Sequence, residues 1–552
     1  MNKKTDGKYF TLVLHSHIPY VLSHGSWPHG MDWLYEAAAE CYLPLLLAFE
    51  RLAEEGLPPR VVMSFTPVLA DQLKDPGFRS GFEEYLGMKA EIAADDIKYF
   101  RKTGDPLLGL AEFWRDWYKS LKQTFRERCR GDILESFRRL QEAGQLEVMT
   151  SAATHGYFPL LGSDVSIAHQ IRQGRHTHRR FFGREAAGFW VPECGYRPRY
   201  RWTSPFGGQA AERHGVDELL KAGGAGYFFV DTHLLKGGEV KGVYMERFPG
   251  LKLLWEKYKK EYHPESADGK DPYLPYLAEP SLEPFFARDD MSGTQVWSRQ
   301  GGYPGDGDYL EFHKKHFPGG LRYWKITSSS GDLALKEPYQ PAAAREKVRV
   351  HARHFASLLE GILAGGDRRV IAALYDTELF GHWWFEGPEW IYHVMRELAA
   401  GPVAARTASE CLELCRPETI VSLPEGSWGQ GGFHWIWFNT DTAWIWEKIY
   451  RVEDEAAGLL EDSGAWDRRL LRQFFREKFL LESSDWPFLI STWTARDYAE
   501  NRAAEHYERA ARLAGWLRRR APLTPAEQVL LETYESEDRV FEEVVLPDGT
   551  VI

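Results

Sequence analysis

Short apolar runs recur along most of the chain and are separated by longer stretches with helical periodicity. Seven of these runs are predicted strands, at residues 8–15, 60–65, 145–150, 188–193, 226–231, 368–376 and 418–423. Unbroken apolar runs that alternate with helices are typical of a parallel sheet covered on both faces. The number of units favours a barrel-like closure of this sheet, with a doubly wound open sheet as the alternative. The pattern therefore predicts an α/β fold.

Two long stretches do not fit a minimal strand–helix repeat. Residues 75–130 are charged and helical in pattern and are expected to decorate the sheet. Residues 232–335 are rich in Gly, Pro and aromatic residues, and stretches of this kind are usually functional loops or small inserted domains. From about residue 437 the apolar positions follow a helical period, which predicts a C-terminal helical bundle.

The composition excludes several classes of protein. The 552 residues carry 68 Lys and Arg against 80 Asp and Glu, a net charge of −12, whereas a nucleic-acid binder needs a basic surface. Continuous apolar runs stay shorter than the ~18 residues of a membrane helix, and no cleavage site follows the apolar start. The five scattered cysteines argue against a disulfide framework and favour a reducing, cytoplasmic setting. We therefore expect neither nucleic-acid nor membrane partners.

Aromatic residues are frequent, and many of them lie outside the apolar runs. The chain has 21 Trp, 26 Tyr and 31 Phe, and several Trp stand beside Gly, Pro, His or acidic residues. A flat aromatic face in a polar cleft suits a sugar ring, whose C–H faces are apolar and whose rim carries hydroxyls. A large core also takes up Trp, so each tryptophan has a structural interpretation as well. Tryptophans in Gly-rich stretches, such as 427–439, favour sugar binding.

Polar residues that can carry chemistry follow several predicted strands. They are His15 and His17 after the first strand, His155 after the third, and Glu193, Asp231, Asp376 and Glu378 at the ends of the next three. In parallel barrels the active site forms at the carboxyl ends of the strands, so we expect these side chains to share one cleft.

Two carboxylates in this set belong to separate strands and have aromatic neighbours. Glu193 lies in WVPECGYRPRY at 190–200, and Asp376 lies in YDTELFGHWWFEGPEW at 375–390. Cleavage of a glycosidic bond requires such a pair, one carboxylate to attack the anomeric carbon and one to protonate the leaving oxygen. Apolar neighbours supply the raised pKa that the acid needs. The residues alone leave the two roles open, and a salt-bridged strand end is the structural alternative for Glu193.

The three early histidines permit a different chemistry. His15 and His17 are alternate residues at a strand end, so both can face one cavity together with His155. Neutral imidazoles with a carboxylate are good Zn or Mn ligands, which gives a second hypothesis, a metal-dependent hydrolase or deacetylase. A third hypothesis is a sugar-binding protein without catalysis.

Five segments resemble, in order, the conserved regions of glycoside hydrolase family 57. They are HSHIPYVL at 15–22, HGYFPLL at 155–161, WVPECGYRP at 190–198, YDTELFGHWWFEGPEW at 375–390, and the stretch from SWGQGG to Trp437 at 427–437. The Cys after Glu193 and the string DTELFGHWWFEG look like the α-1,4-glucan branching enzymes of this family more than its α-amylases or 4-α-glucanotransferases.

The resemblance implies a fold and a mechanism. The fold would be a distorted (β/α)7 barrel over residues 1–425 with an insertion at about 232–335, followed by an all-helical domain at 426–552 that contributes Trp to the cleft. The reaction would retain anomeric configuration, with Glu193 as nucleophile and Asp376 as general acid/base. An α-1,4-glucan such as amylose or glycogen would be both donor and acceptor.

The resemblance also implies no cofactor and no metal, so His15, His17 and His155 would contact the sugar. The tryptophans that match positions lining the family's glucan cleft are Trp27, Trp297, Trp428 and Trp437. The Gly-rich stretch 234–248, with Tyr244, is expected to form a lid, because a transferase must exclude water from its intermediate. We expect a monomer or a small homo-oligomer.

Overall fold

The computed structural model describes residues 7–237, 270–298, 301–328, 330–366, 368–461 and 466–552. Its strands are β1 Lys8–Ser16, β2 Val62–Phe65, β3 Glu147–Ser151, β4 Gly188–Trp190, β5 Tyr200–Trp202, β6 Ala211–Arg213, β7 Tyr227–Val230, β8 Tyr276–Ala278, β9 Glu283–Ala287, β10 Arg369–Asp376, β11 Ala404–Ala405 and β12 Ile420–Val421. Parallel pairing runs in the order β10–β1–β2–β3–β4–β7–β9. The ring closes where Arg288, next to β9, forms a parallel bridge with Ala372 of β10. This distorted seven-stranded barrel confirms the predicted fold class.

The pairing of β1 with β10 sets the position of two candidate site residues. Both strands carry apolar runs that are buried on both faces, as expected for a parallel barrel covered by helices. Their register is continuous from Lys8 opposite Arg369 to His15 opposite Asp376. His15 and Asp376 therefore lie side by side at the carboxyl end of the barrel.

One predicted strand is shorter than expected and does not belong to the barrel. The run at 418–423 forms only the two-residue strand β12, which pairs with β8 outside the barrel. The seventh barrel strand is β9, which pairs in parallel with β7 and lies within the stretch 232–335 that was expected to be an insertion. The sequence EPFFA of β9 is short and contains a proline, so its pattern gave no strand signal.

Helices surround the barrel and extend from it. They are α1 Met31–Ala37, α2 Leu43–Glu54, α3 Pro67–Lys74, α4 Pro76–Thr103, α5 Leu108–Gln123, α6 Ile133–Glu142, α7 Asp164–Phe182, α8 Val216–Ala222, α9 Thr232–Lys236, α10 Asp290–Trp297, α11 Pro341–Ile362, α12 Gly387–Ala400 and α13 Ala408–Leu414. The charged stretch 75–130 is helical as predicted and folds into α4 and α5, which pack along each other. The Asp75 side chain caps α4 by accepting from the Gly77 N–H at 2.7 Å, and Gly104 ends this helix in the left-handed conformation.

The C-terminal part of the chain is helical, as predicted. Its helices are α14 Ala443–Leu460, α15 Arg468–Leu481, α16 Asp485–Thr492, α17 Arg496–Arg519 and α18 Pro525–Glu537. They attach directly to the barrel, since Arg502 of α17 donates to the Tyr20 carbonyl at 2.7 Å and the Tyr20 hydroxyl donates to the Glu537 carbonyl at 3.0 Å. Within the described ranges, none of the helices has the length and apolar character that crossing a bilayer requires. All five cysteines are free and buried.

Candidate active site

Glu193 lies on a tight turn directly after β4, at the carboxyl end of the barrel. Its backbone has φ 59° and ψ 22°, a left-handed conformation that is costly for a residue other than glycine. The Trp428 backbone N–H donates to the Glu193 carbonyl at 3.0 Å, and the Trp428 indole N–H donates to Glu193 Oε2 at 2.7 Å. The hydroxyl of Ser484 lies 3.5 Å from the other carboxylate oxygen, Oε1. Trp428 and Ser484, which lie outside the barrel strands, thus hold the turn and both carboxylate oxygens.

The surroundings of Glu193 disfavour its charge. Burial raises the pKa of Glu193 to about 8 and Asp376 and Asp485 add to this, while hydrogen bonds from Trp428 and Ser484 act in the opposite direction. Asp376 at the end of β10 and Glu193 after β4 both lie at the carboxyl end of the barrel, and the charge of Asp376 acts on Glu193. Two carboxylates that disfavour each other's ionisation are suited to hold a single proton between them.

Asp376 ends β10, four strands around the barrel from β4, and its side chain is half-buried. Its neighbour Glu378 is also half-buried, and desolvation raises the pKa of Glu378 to about 8, with Asp376 adding to the shift and a hydrogen bond from Tyr42 opposing it. The Tyr42 hydroxyl donates to Glu378 Oε1 at 2.5 Å, and the His17 backbone N–H donates to the same oxygen at 3.2 Å. Glu378 therefore ties the end of β10 to the end of β1.

His15, His17 and His155 form a stacked cluster beside Glu193. The His17 and His155 ring centroids are 4.1 Å apart, and His15 stacks on Trp190 at 4.4 Å with an interplanar angle of 11°. His155 Nδ1 lies 3.8 Å from Glu193 Oε1. Burial lowers the pKa of both His15 and His155 well below the ordinary value, so these two rings are neutral at pH 7.

Each ring nitrogen of this cluster has a protein partner. The contacts are His15 Nδ1 with Ser64 Oγ at 3.1 Å, His15 Nε2 with His155 Nε2 at 3.0 Å, His17 Nδ1 with Thr66 Oγ1 at 2.9 Å, His17 Nε2 with Asp485 Oδ2 at 2.9 Å, and His155 Nδ1 with Ser484 Oγ at 2.9 Å. A metal site needs bare nitrogens that converge on one point. The donor set therefore fits hydrogen bonding and does not support the metal-hydrolase hypothesis.

A cluster of metal-ligating residue types does occur elsewhere. In the part of the chain that the structure describes, the group of three that comes within 4.8 Å is Glu477, His506 and Asp538, among the C-terminal helices. Arg509 already pairs with Asp538, and Arg502 donates to His506 Nε2 at 3.0 Å. This group is therefore a neutralised ionic network.

Two site residues, Ser484 and Asp485, were missed in the sequence analysis. They lie at the start of α16 and contact His155, Glu193 and His17. The Ser484 N–H also donates to the His155 carbonyl at 3.2 Å, which fixes the helix end against the barrel. Ser-Ser-Asp before an apolar run signals only a helix start. No local pattern indicates that this start reaches residues more than 290 positions earlier.

The tryptophans expected to bind sugar have different environments. Trp428 contacts Glu193, Trp297 is half-buried, and the Trp27 side chain is 81% exposed. The expectation that Trp437 binds sugar is wrong, because its ring is 1% exposed and stacks on Tyr157 at 4.3 Å, which leaves no open face for a sugar. Tyr244, and residues 238–248 of the expected lid, lie outside the described residues.

Comparisons with known proteins agree with this geometry. A family model described as "Glycosyl hydrolase family 57" matches residues 11–424, and one described as "1,4-alpha-glucan branching enzyme, C-terminal" matches residues 447–546. The chain is 41% identical over 550 residues to the 1,4-alpha-glucan branching enzyme TK1436 of Thermococcus kodakarensis, covering 98% of this chain and 78% of that protein.

Among the solved structures, two branching enzymes are more similar to this chain than an α-amylase is. The TK1436 crystal structure has a TM-score of 0.90 at 40% identity, covering 99% of this chain and 97% of that one. The branching enzyme from Pyrococcus horikoshii has a TM-score of 0.87 at 38% identity, with coverages of 99% and 97%. The α-amylase AmyC from Thermotoga maritima is less similar, with a TM-score of 0.76 at 30% identity and coverage of 97% of both chains.

Proposed function

The chain belongs to glycosyl hydrolase family 57, and on this premise we infer that it is a 1,4-alpha-glucan branching enzyme in which Glu193 and Asp376 carry out the chemistry. Two points support the branching activity over hydrolysis alone: the match of residues 447–546 to the C-terminal domain of branching enzymes, and the higher similarity to branching enzymes than to the amylase.

The reaction proceeds in two halves. In the first, Glu193 attacks C1 of an α-1,4-linked glucose while Asp376 gives its proton to the departing O4, so that a glycosyl ester forms as the C1–O4 bond breaks. In the second, Asp376 takes the proton of a glucan 6-hydroxyl, whose oxygen attacks C1 and releases Glu193. The product has an α-1,6 linkage, and two inversions retain the anomeric configuration.

The observation that carries this proposal is the setting of Glu193. An indole N–H donates to its Oε2 at 2.7 Å, which suits an ionised nucleophile, while the nearby Asp376 makes it unfavourable for both groups to be charged. Such a pair shares one proton, and a retaining mechanism requires that Asp376 holds this proton when Glu193 attacks. The distribution of the two roles follows from the family resemblance.

The identity of the substrate and the cellular location are further proposals. We propose amylose or glycogen as donor and acceptor, with His15, His17 and His155 at the subsite of the glycosyl ester. The histidine rings are held by Ser64, Thr66, Ser484 and Asp485, so they present a fixed polar surface to a sugar. A cytoplasmic location and a monomer or small homo-oligomer remain predictions.

Substitution of the two carboxylates tests the assignment. Glu193→Gln and Asp376→Asn should each lower branch formation on amylose by on the order of 10³-fold or more, because each removes a group needed in both halves of the reaction. Branches are counted by debranching followed by chain-length analysis. Glu389→Gln, in the same sequence motif but paired with Arg51 at the surface, is the matched control and should remain active. Near-normal branching in either active-site variant would reject the assignment.

A further inference from the structure

We propose that Ser484, from the C-terminal helices, is a positioning residue that connects Glu193 to a directional hydrogen-bond chain through His155 and His15. The inference rests on the proposed role of Glu193 as nucleophile. The chain runs from Ser64 through His15, His155 and Ser484 to Glu193 Oε1, with donor–acceptor distances of 3.1, 3.0, 2.9 and 3.5 Å.

The two imidazoles can order this chain in only two ways. A neutral imidazole has one N–H and one bare nitrogen, and the Nε2 atoms of His15 and His155 face each other. If His15 donates, His155 holds its proton on Nδ1 and donates to Ser484, whose hydroxyl proton is then available to Glu193. If His155 donates from Nε2, its bare Nδ1 accepts a hydrogen bond from the Ser484 hydroxyl, and Ser484 can then only accept from Glu193.

The direction of the chain is therefore tied to the charge of Glu193. An ionised Glu193 accepts from Ser484 and selects the first order, whereas a protonated Glu193 donates to Ser484 and selects the second. The titratable groups that interact with Glu193 include Asp376 on β10, Asp485 on α16, His155 and Tyr157 after β3, and Cys194 on the same turn. Both aspartates oppose the charge, so the Ser484 donor helps to stabilise the form that attacks.

The two carboxylate oxygens also differ in how firmly they are held. Oε2 accepts from the Trp428 indole at 2.7 Å, whereas Oε1 lies at 3.5 Å from the Ser484 hydroxyl, the long limit of a hydrogen bond. The geometry therefore assigns Oε1 as the attacking oxygen, because it loses the weaker contact when its bond to C1 forms. Ser484 then orients the nucleophile without blocking it.

The pH dependence of branching tests this role. In Ser484→Ala, the acidic limb of the kcat/KM profile on amylose should move upward by about one pH unit, because an ionised Glu193 loses a donor. At pH values below this limb, the kcat/KM of Ser484→Ala should be about tenfold lower than that of the native chain. Ser484→Thr keeps the hydroxyl and should restore the limb, and Ser484→Cys, a weaker donor of similar shape, should give an intermediate shift.

The matched control is Ser491→Ala, at the other end of α16, where the serine hydroxyl donates to the Ile436 carbonyl at 2.6 Å. Its acidic limb should stay in place. An equal loss of rate at every pH in Ser484→Ala, with the limb unmoved, would overturn the proposal and leave Ser484 a packing residue. If Ser484→Ala fails to fold, the limb of Ser484→Cys decides in the same way. Full branching by Glu193→Gln would instead refute the proposed function.

Discussion

At the level of single residues, the active site contains three non-glycine positions with left-handed, strained backbone. Glu193 and Cys194 have φ values of 59° and 46°, and His155 has a φ of 61°, although none of them is glycine. Left-handed backbone costs about 1 kcal/mol or more for such residues, and it persists where surrounding contacts fix it. Here the contacts are those of Trp428 and Ser484, which hold the Glu193 and His155 turns through backbone hydrogen bonds. The site is thus preorganised at a cost in stability.

The charge of Glu193 also lowers the stability of the folded chain, and this effect depends on pH. The pKa of Glu193 is about 8 in the folded chain, mainly because of burial, against ~4.3 in an unfolded one. Between these values the folded state binds a proton that the unfolded state lacks, so the free energy of unfolding falls as the pH rises. Glu193→Gln removes the charge and should be more stable than the native chain at pH 8–9, by up to a few kcal/mol.

Thermal unfolding across pH checks this prediction. The Tm of Glu193→Gln should exceed that of the native chain at alkaline pH, and the difference should disappear towards pH 5. Glu84→Gln changes an exposed glutamate of α4 and serves as the control, with no such trend expected. A Tm difference of the same size at both ends of the pH range would contradict the role given to the buried charge.

At the scale of elements, the loop after β10 is built to hold Asp376 in place. Gly381 donates its N–H to the Trp384 carbonyl at 2.7 Å and has a φ of 116°, which side chains rarely tolerate. A Cβ on Gly381 would lie 1.8 Å from the Glu40 carbonyl oxygen of the π-helical turn Ala38–Tyr42. The loop and this turn are therefore in backbone contact that only glycine permits.

Gly381→Ala should disturb both stability and catalysis. Because the new methyl group meets backbone, the loop must move, and we expect a loss of a few kcal/mol and a Tm lowered by several degrees. Branching should fall as well, since Asp376 shares this loop. Gly458→Ala is the matched control: Gly458 lies inside α14 with open space around its Cβ position, and alanine there should be neutral or slightly stabilising. Equal Tm values for the two variants would show that the loop adapts.

The elements also show how far sequence reasoning reaches. Long buried strands such as β1 and β10 have apolar runs that a periodicity argument recognises, and the residues that follow them were correctly expected at the barrel's carboxyl end. β9 was missed because five residues with a proline carry no period. Trp428 and Trp437 share one Gly-rich stretch, yet one contacts Glu193 and the other stacks on Tyr157, a difference decided by tertiary packing. Ser484 was missed for the same reason.

At the scale of the whole molecule, buried polar contacts join the barrel to the C-terminal helices. The buried Asp538 pairs with Arg509 of α17 and lies 2.7 Å from the Nε2 of His24, which belongs to the barrel side. Tyr20 and Arg502 add a second connection at the same place. Because α16 supplies Ser484 and Asp485 to the site, separation of the helices from the barrel would dismantle the site as well.

Asp538→Asn tests this coupling. Although burial raises the pKa of Asp538, His506, His24 and nearby arginines outweigh it, so that the pKa is lowered overall. Its stabilisation is then present above the ordinary carboxyl pKa of ~3.9 and is lost as the pH falls. At pH 7 the variant should lose about 1–3 kcal/mol, because Arg509, which also pairs with Glu505 and Glu537, loses its most buried carboxylate partner, and the deficit should shrink towards pH 3. Calorimetry should show a single transition at a lower Tm, with residual branching activity lost at the same temperature. Glu447→Gln, which breaks an exposed pair with Arg451, should leave the Tm unchanged. Two separate transitions, with activity following only the later one, would mean that the barrel holds its site without the helices.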